Sequence, residues 1–184
     1  MTKLYTYAGI AASVVLIAFG IGCVAIGFDG RDRVQNDLAR EQIVGTPDST
    51  IPGQKVDTGK EAEAFAAIMR KHTLEATGGL TYAQMDRFLD KNGKPTSDEK
   101  LAAVDPKSGK PVENGLRNMW VSETALTTAL NTAYFAESVA TFAIVMGFAL
   151  LLTGVGFLVL TIRLLAPRTA KEKAPAASAV PVAS

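Results

Sequence analysis

The chain has one cysteine, one histidine and one tryptophan among 184 residues, and no charged side chain at all in residues 4–28 or 138–162. The lone cysteine, Cys23, excludes an intrachain disulfide. The lone histidine, His72, leaves the usual zinc and non-haem iron centres short of imidazole or thiolate donors, so no metal ligand is expected. No serine stands in a nucleophile-elbow setting, which leaves a Ser-His-Asp hydrolase nothing to build on. His72, flanked by Arg70, Lys71 and Glu75, is expected to be a helix-face residue contacting Glu75 or another neighbour. No catalytic residue, cofactor-binding residue or cofactor is expected, and the chain does not read as an enzyme. The middle of the chain has no basic stripe or nucleic-acid-binding motif, so nucleic acid is not an expected partner.

The two uncharged runs are what the sequence has in place of these features. A bilayer core of ~30 Å takes about 20 apolar residues at a helical rise of about 1.5 Å each, and both runs exceed that. The predicted fold class is an all-α membrane protein, in which two long transmembrane helices form a hairpin with short helices and turn-rich loops in an extracytoplasmic region. The predicted organisation is a first transmembrane helix over 1–28, an extracytoplasmic region over 29–137 with extensions of both long helices, a second transmembrane helix over 138–165 and a disordered cytoplasmic tail over 166–184.

The first run competes with a reading as a removable leader, because Gly20-Ile21-Gly22-Cys23 vaguely resembles a lipoprotein cleavage box. Glycine stands where a large aliphatic residue belongs, and the apolar run continues to Phe28. A removable leader has an apolar stretch of only about 7–15 residues, so a retained anchor with a buried, unreactive thiol is the better account.

Orientation follows from Lys and Arg close to the span ends. Arg163, Arg168, Lys171 and Lys173 follow the second run, whereas nothing basic lies between Arg117 and Arg163. This predicts a multi-pass plasma-membrane protein with both termini cytoplasmic, consistent with Lys3. Arg31 and Arg33, just past the first run, argue the other way. Residues 29–137 carry 14 basic and 17 acidic side chains, a net of −3, so the middle is mixed while the tail is basic.

Within the middle, Val34, Leu38 and Glu41 suggest that the first helix continues outward until Gly45 and Pro47 stop it. Thr58 with Glu61, and Thr81 with Gln84, form capping boxes that predict a helix carrying Ala64, Phe65, Ile68, Met69 and His72, ended by Gly78-Gly79, and a short helix through Tyr82, Met85 and Leu89. Residues 90–95 and 105–111 each end in Gly-Lys-Pro and predict tight turns. From about Leu116 to Leu165 the pattern is helical without a proline. The apolar residues of the middle make a thin core with no disulfide to staple it, so its short helices are expected to pack on the outward extensions of the long ones, with Trp120 as an anchor.

The strongest candidate surface is a seam of small residues. Ala125, Ala129, Ala136, Ala140, Ala143, Gly147 and Gly154 fall on one face of the second helix, and Ala8, Ala11, Ala18, Gly22 and Ala25 make a comparable stripe on the first. The two stripes are expected to pack together within the chain, or to meet a protein partner or a second copy. Glu137, beside Tyr134 and Phe135, is expected at the membrane interface, where a charge is cheap and aromatic residues gather. With no deeper charge, a channel or transporter built from this chain alone is not expected.

The run from His72 to Arg87, with Thr77, Gly79, Tyr82 and Met85 at fixed spacing, resembles the centre of a family of small actinobacterial two-span membrane proteins of unknown function. The segment from Trp120 through Thr124-Ala125-Leu126, Thr128-Ala129-Leu130-Asn131 and Tyr134-Phe135-Ala136-Glu137 is similar to that family's long second helix, and residues 152–157 to its inner half. The resemblance covers most of residues 4–165, with an insertion between Arg87 and Arg117. Its members are often labelled aromatic ring-opening dioxygenases, and the single histidine speaks against that label, since such enzymes hold iron with two histidines and a carboxylate.

The expected function is a non-enzymatic accessory or interaction subunit of a cell-envelope complex, contacting membrane lipid and a protein partner in the membrane. The alternatives are a self-associating scaffold and an outward-facing ligand-binding module.

Overall fold

The structure is a computed structural model that describes residues 2–165. It is mostly helical, with α1 over Thr2–Arg40, α2 over Gly59–Ala76 and α3 over Gly115–Leu165. A turn of 3-10 helix at Tyr82–Gln84 and the short strands β1, Phe88–Leu89, and β2, Pro95–Thr96, lie between α2 and α3. Both α1 and α3 are long and apolar enough to cross a membrane. Phe19, Ile26, Phe142 and Leu152 point outward along them, Leu152 with 75% of its surface free. Leaving such side chains in water forgoes about 1.5–3 kcal/mol each, a loss that a lipid surround removes. The predicted tail at 166–184, with Arg168, Lys171 and Lys173, lies outside the described residues.

The chain divides into two compact units, Met1–Gly22 with Gly147–Ser184, and Cys23–Met146. In the first, α1 and α3 run in opposite directions: a Cβ on Gly9 would meet Thr161, one on Gly154 would meet Ile17, and one on Gly20 would lie 2.8 Å from the Gly147 carbonyl and 2.9 Å from the Leu151 nitrogen. Ser13 is fully buried, and its hydroxyl donates to the Gly9 carbonyl at 2.8 Å. Ser13 and Gly20 on one helix, and Gly147 and Gly154 on the other, are buried at seven-residue spacing. That is the repeat of a left-handed coiled coil, and small residues at its seam let backbones touch where lipid provides no hydrophobic drive.

In the second unit the same spacing brings Gly27 against α3, where a Cβ would lie 2.8 Å from the Ala140 carbonyl. Further along, α2 lies on both long helices: Leu38 of α1, Ala62 and Ala66 of α2, Leu130 of α3 and Val56 form the buried core, edged by Val34, Ile43, Ile51, Phe65, Met69 and Ala133. α1 ends at Arg40, and Gln42 then takes a positive φ of 52° to turn the chain. The loop returns along itself through a Val44–Lys55 bridge, with the Val56 amide donating to the Ile43 carbonyl at 2.9 Å.

α2 opens as its capping box predicts, with Glu61 Oε2 accepting the amides of Asp57 and Thr58, each at 3.0 Å. It closes on Gly78 and Gly79, both at positive φ, and the Gly79 amide donates to the Leu74 carbonyl at 2.7 Å. Trp120 is buried, donates its ring N–H to the Leu80 carbonyl at 2.9 Å and lies under the Arg70 guanidinium at 5.1 Å.

One local expectation fails. The Thr81–Gln84 capping box opens only one 3-10 turn, because Met85 is already extended and Leu89 belongs to β1 rather than to a helix. The Leu89 amide donates to the Val112 carbonyl and its carbonyl accepts from Ala103, so pairing with residues over a dozen positions away overrides the local helix signal. The two predicted turns close as hairpin loops, each held by its aspartate: Asp90 Oδ1 accepts the amides of Asn92 and Lys94, and Asp105 Oδ1 accepts that of Lys107. Gly93 and Gly109 supply the positive φ that each turn requires.

Candidate functional site

The predicted seam on α3 divides by position. Ala140, Gly147 and Gly154 are buried, and Ala136 and Ala143 half-buried, while Ala125 and Ala129 are exposed. On α1 the predicted stripe is not the face that meets α3. Ala8, Ala11, Ala18 and Ala25 are exposed, and a Cβ on Gly22 would meet nothing within 4 Å. The packed face carries Gly9, Ser13, Gly20 and Gly27. Ser13, Gly20 and Gly27 share the seven-residue interval of Ala140, Gly147 and Gly154, and that shared interval is the sequence signal for this face.

Beyond Ala140 the space between the long helices opens. Within the second unit an apolar groove of about 620 Å³ is lined by Val34 and Leu38 of α1, Phe65 and Met69 of α2, and Leu126, Ala129, Leu130, Ala133 and Ala136 of α3. Its floor exists because three of these α3 positions are alanines: side chains that stop at Cβ leave a trough where larger ones would have filled it. Asp37 and Glu41 stand among the lining residues. Ala125 lines a second, more open apolar surface with Tyr82, Trp120, Val121, Thr124 and Thr128. The N-terminal part of the α3 seam is therefore groove wall rather than closed helix contact.

Glu137 joins three helices. Its Oε1 accepts from Arg31 Nε at 3.1 Å and from Gln35 Nε2 at 2.8 Å, and its Oε2 accepts the amide of Gly59, the first residue of α2. One carboxylate thus ties α1, the start of α2 and α3, with 12% of its side chain exposed. Its charge also faces the positive end of the α2 dipole. The sequence carries the signal for this tie as an acid directly before the second uncharged run and a base three residues past the first.

His72 does not reach Glu75. Its Nε2 meets Asp48 Oδ2 at 2.8 Å, Lys71 Nζ reaches the same oxygen at 3.3 Å, and Glu75 pairs with Lys71 at 3.7 Å. The His72 contact, with Lys71 beside it, holds the Asp48 carboxyl well below the usual carboxylate range. All three groups are open to solvent, and together they pin the loop over 43–56 to α2. Glu123 is 3% exposed, and its Oε1 has no hydrogen-bond partner among the described residues. Arg117 stacks on Tyr82 at 4.1 Å.

Compared with known protein families, curated proteins and solved structures, the chain matches none.

Proposed function

We propose that this chain is a non-enzymatic accessory subunit of a membrane complex in the cell envelope, anchored as a two-helix hairpin with both termini in the cytoplasm and gripping a partner through the outer half of α3. The observation that carries the reading is the alanine-floored groove between α1, α2 and α3, where Ala129, Ala133 and Ala136 leave apolar surface unfilled. Such a trough suits an apolar helix face, which needs small residues opposite it to approach closely. Pairing of Arg31 with Glu137 supports the orientation, because it accounts for a basic residue at that end of α1 by a structural role.

The exposed Ala11, Ala18 and Ala25, again seven residues apart, favour one second reading, a scaffold that meets its own copy along the other face of α1. A photo-crosslinking residue at Ala129 and another at Ala18, in the full chain in native membranes, separates the two. A heteromeric adduct from Ala129 supports the accessory role, and an adduct at twice 19.4 kDa from Ala18 supports the scaffold. Only uncrosslinked chain from both positions overturns both.

A further inference from the structure

A further cavity in the Cys23–Met146 unit carries more polar and charged side chains in its lining than the groove does. It has a volume of about 490 Å³ and is lined by Arg31 of α1, Lys60 in the first turn of α2, and Tyr134, Glu137, Ser138 and Thr141 of α3, with Thr58 at its edge. Two cations and one carboxylate leave it a net charge of +1. That carboxylate is already satisfied, since Glu137 accepts from Arg31 Nε, Gln35 and the Gly59 amide. Arg31 makes its bond through Nε, which leaves its two terminal nitrogens to donate. Lys60 is exposed, and no acceptor holds its ammonium among the described residues. The Ser138 and Thr141 hydroxyls donate to the carbonyls of Tyr134 and Glu137 and so line the cavity without competing for an anion's donors.

The position of the cavity selects the anion. Ser138 and Thr141 begin the uncharged run of α3, and Arg31 stands three residues past the end of the uncharged run of α1. The cavity therefore lies at the level where a bilayer's apolar core gives way to its headgroups, whichever side that is. We propose that it binds one phosphate group, that of an anionic phospholipid headgroup, between the Arg31 guanidinium and the Lys60 ammonium. A net charge of +1 matches a single phosphodiester, a guanidinium fork and a lysine point charge are the usual phosphate donors, and basic pockets between membrane helices take headgroups. Positive potential from the start of α2 adds to the attraction. The lipid as source rests on the reading of α1 and α3 as membrane spans.

The test uses the full chain, delipidated in neutral detergent, with phosphatidylglycerol, phosphatidylcholine or inorganic phosphate added, and reads bound lipid by native mass spectrometry together with thermal stability. Lys60→Glu and Lys60→Gln are the variants, and Lys55→Glu is a charge-matched control outside the cavity. The expected result is one phosphatidylglycerol per chain, retained at least about tenfold better than phosphatidylcholine, with that preference lost on either Lys60 change and kept in the control. Stabilisation by inorganic phosphate that depends on Lys60, with no preference between the lipids, assigns the cavity to soluble phosphate and overturns the lipid source. Equal binding by the wild type and both Lys60 variants overturns the proposal. Release of the unmodified chain from membranes by alkaline carbonate would overturn the membrane reading, and with it the lipid source, while the phosphate arm, read in solution, is decided separately.

Discussion

Arg31 and Glu137, 106 positions apart in the chain, meet at 3.1 Å where α1 and α3 leave their uncharged runs. The pair is unequal in burial, with 44% of the arginine side chain exposed against 12% of the glutamate. Removing the arginine takes away one of three donors, whereas removing the glutamate strands all three, including the first amide of α2. Glu137→Ala is therefore expected to destabilise the protein by about 2–3 kcal/mol and Arg31→Gln by less than about 1 kcal/mol, because the exposed partner is screened by solvent. Thermal or denaturant unfolding in detergent measures both, and equal losses would contradict the clamp.

Gly20 and Gly27 face backbone of α3, while Gly22 faces open space. Replacing glycine by alanine inside a helix ordinarily gains about 0.5–1 kcal/mol, but a methyl group driven into a packed seam costs about 1–3 kcal/mol. Gly20→Ala and Gly27→Ala should lower the melting temperature, and Gly22→Ala should leave it unchanged or raise it. The opposite order would place the wrong face of α1 against α3.

Asp48 joins the loop over 43–56 to α2 through His72 and Lys71. Its folded value is depressed, so its contribution is present in full above the ordinary carboxylate value of 3.8 and is shed as the pH falls below it. Protease cleavage within 46–55 should rise below that pH, and Asp48→Asn should show the same excess at neutral pH. A cleavage profile identical in the variant and the wild type at every pH would remove the pin.

Glu123 is buried with one oxygen unpaired among the described residues. Burying a carboxylate that is not fully hydrogen-bonded costs stability, so Glu123→Met, similar in volume and without a charge, is expected to raise stability by about 1 kcal/mol. A fall of that size would mean that Glu123 has a partner the chain alone does not supply.

The hairpin loops around Gly93 and Gly109 are exposed, and lysines flank both turns. Under the proposed orientation, protease added outside intact cells cuts within 91–110, an epitope tag at Gly109 is reached by antibody, and tags at both ends are protected. Exposed terminal tags with a hidden Gly109 tag would invert the topology.

What could be read from the sequence alone was whatever depends on neighbours along the chain. Uncharged length marks a possible span, and Thr58 with Glu61 starts α2 because a threonine and a glutamate can satisfy the first free amides of their own helix. The same locality explains Gly78-Gly79 as a stop and Gly93 and Gly109 as turn positions. Tertiary structure decided which face of α1 meets α3, since Ala11-Ala18-Ala25 and Ser13-Gly20-Gly27 have the same spacing and only the close approach of α3 at Gly20 and Gly27 distinguishes them. It also turned Leu89 from helix to strand, because its backbone partners are Ala103 and Val112. It made Glu137 a three-way tie, since the donors to that carboxylate come from residues 78 to 106 positions away, a distance over which no local propensity acts.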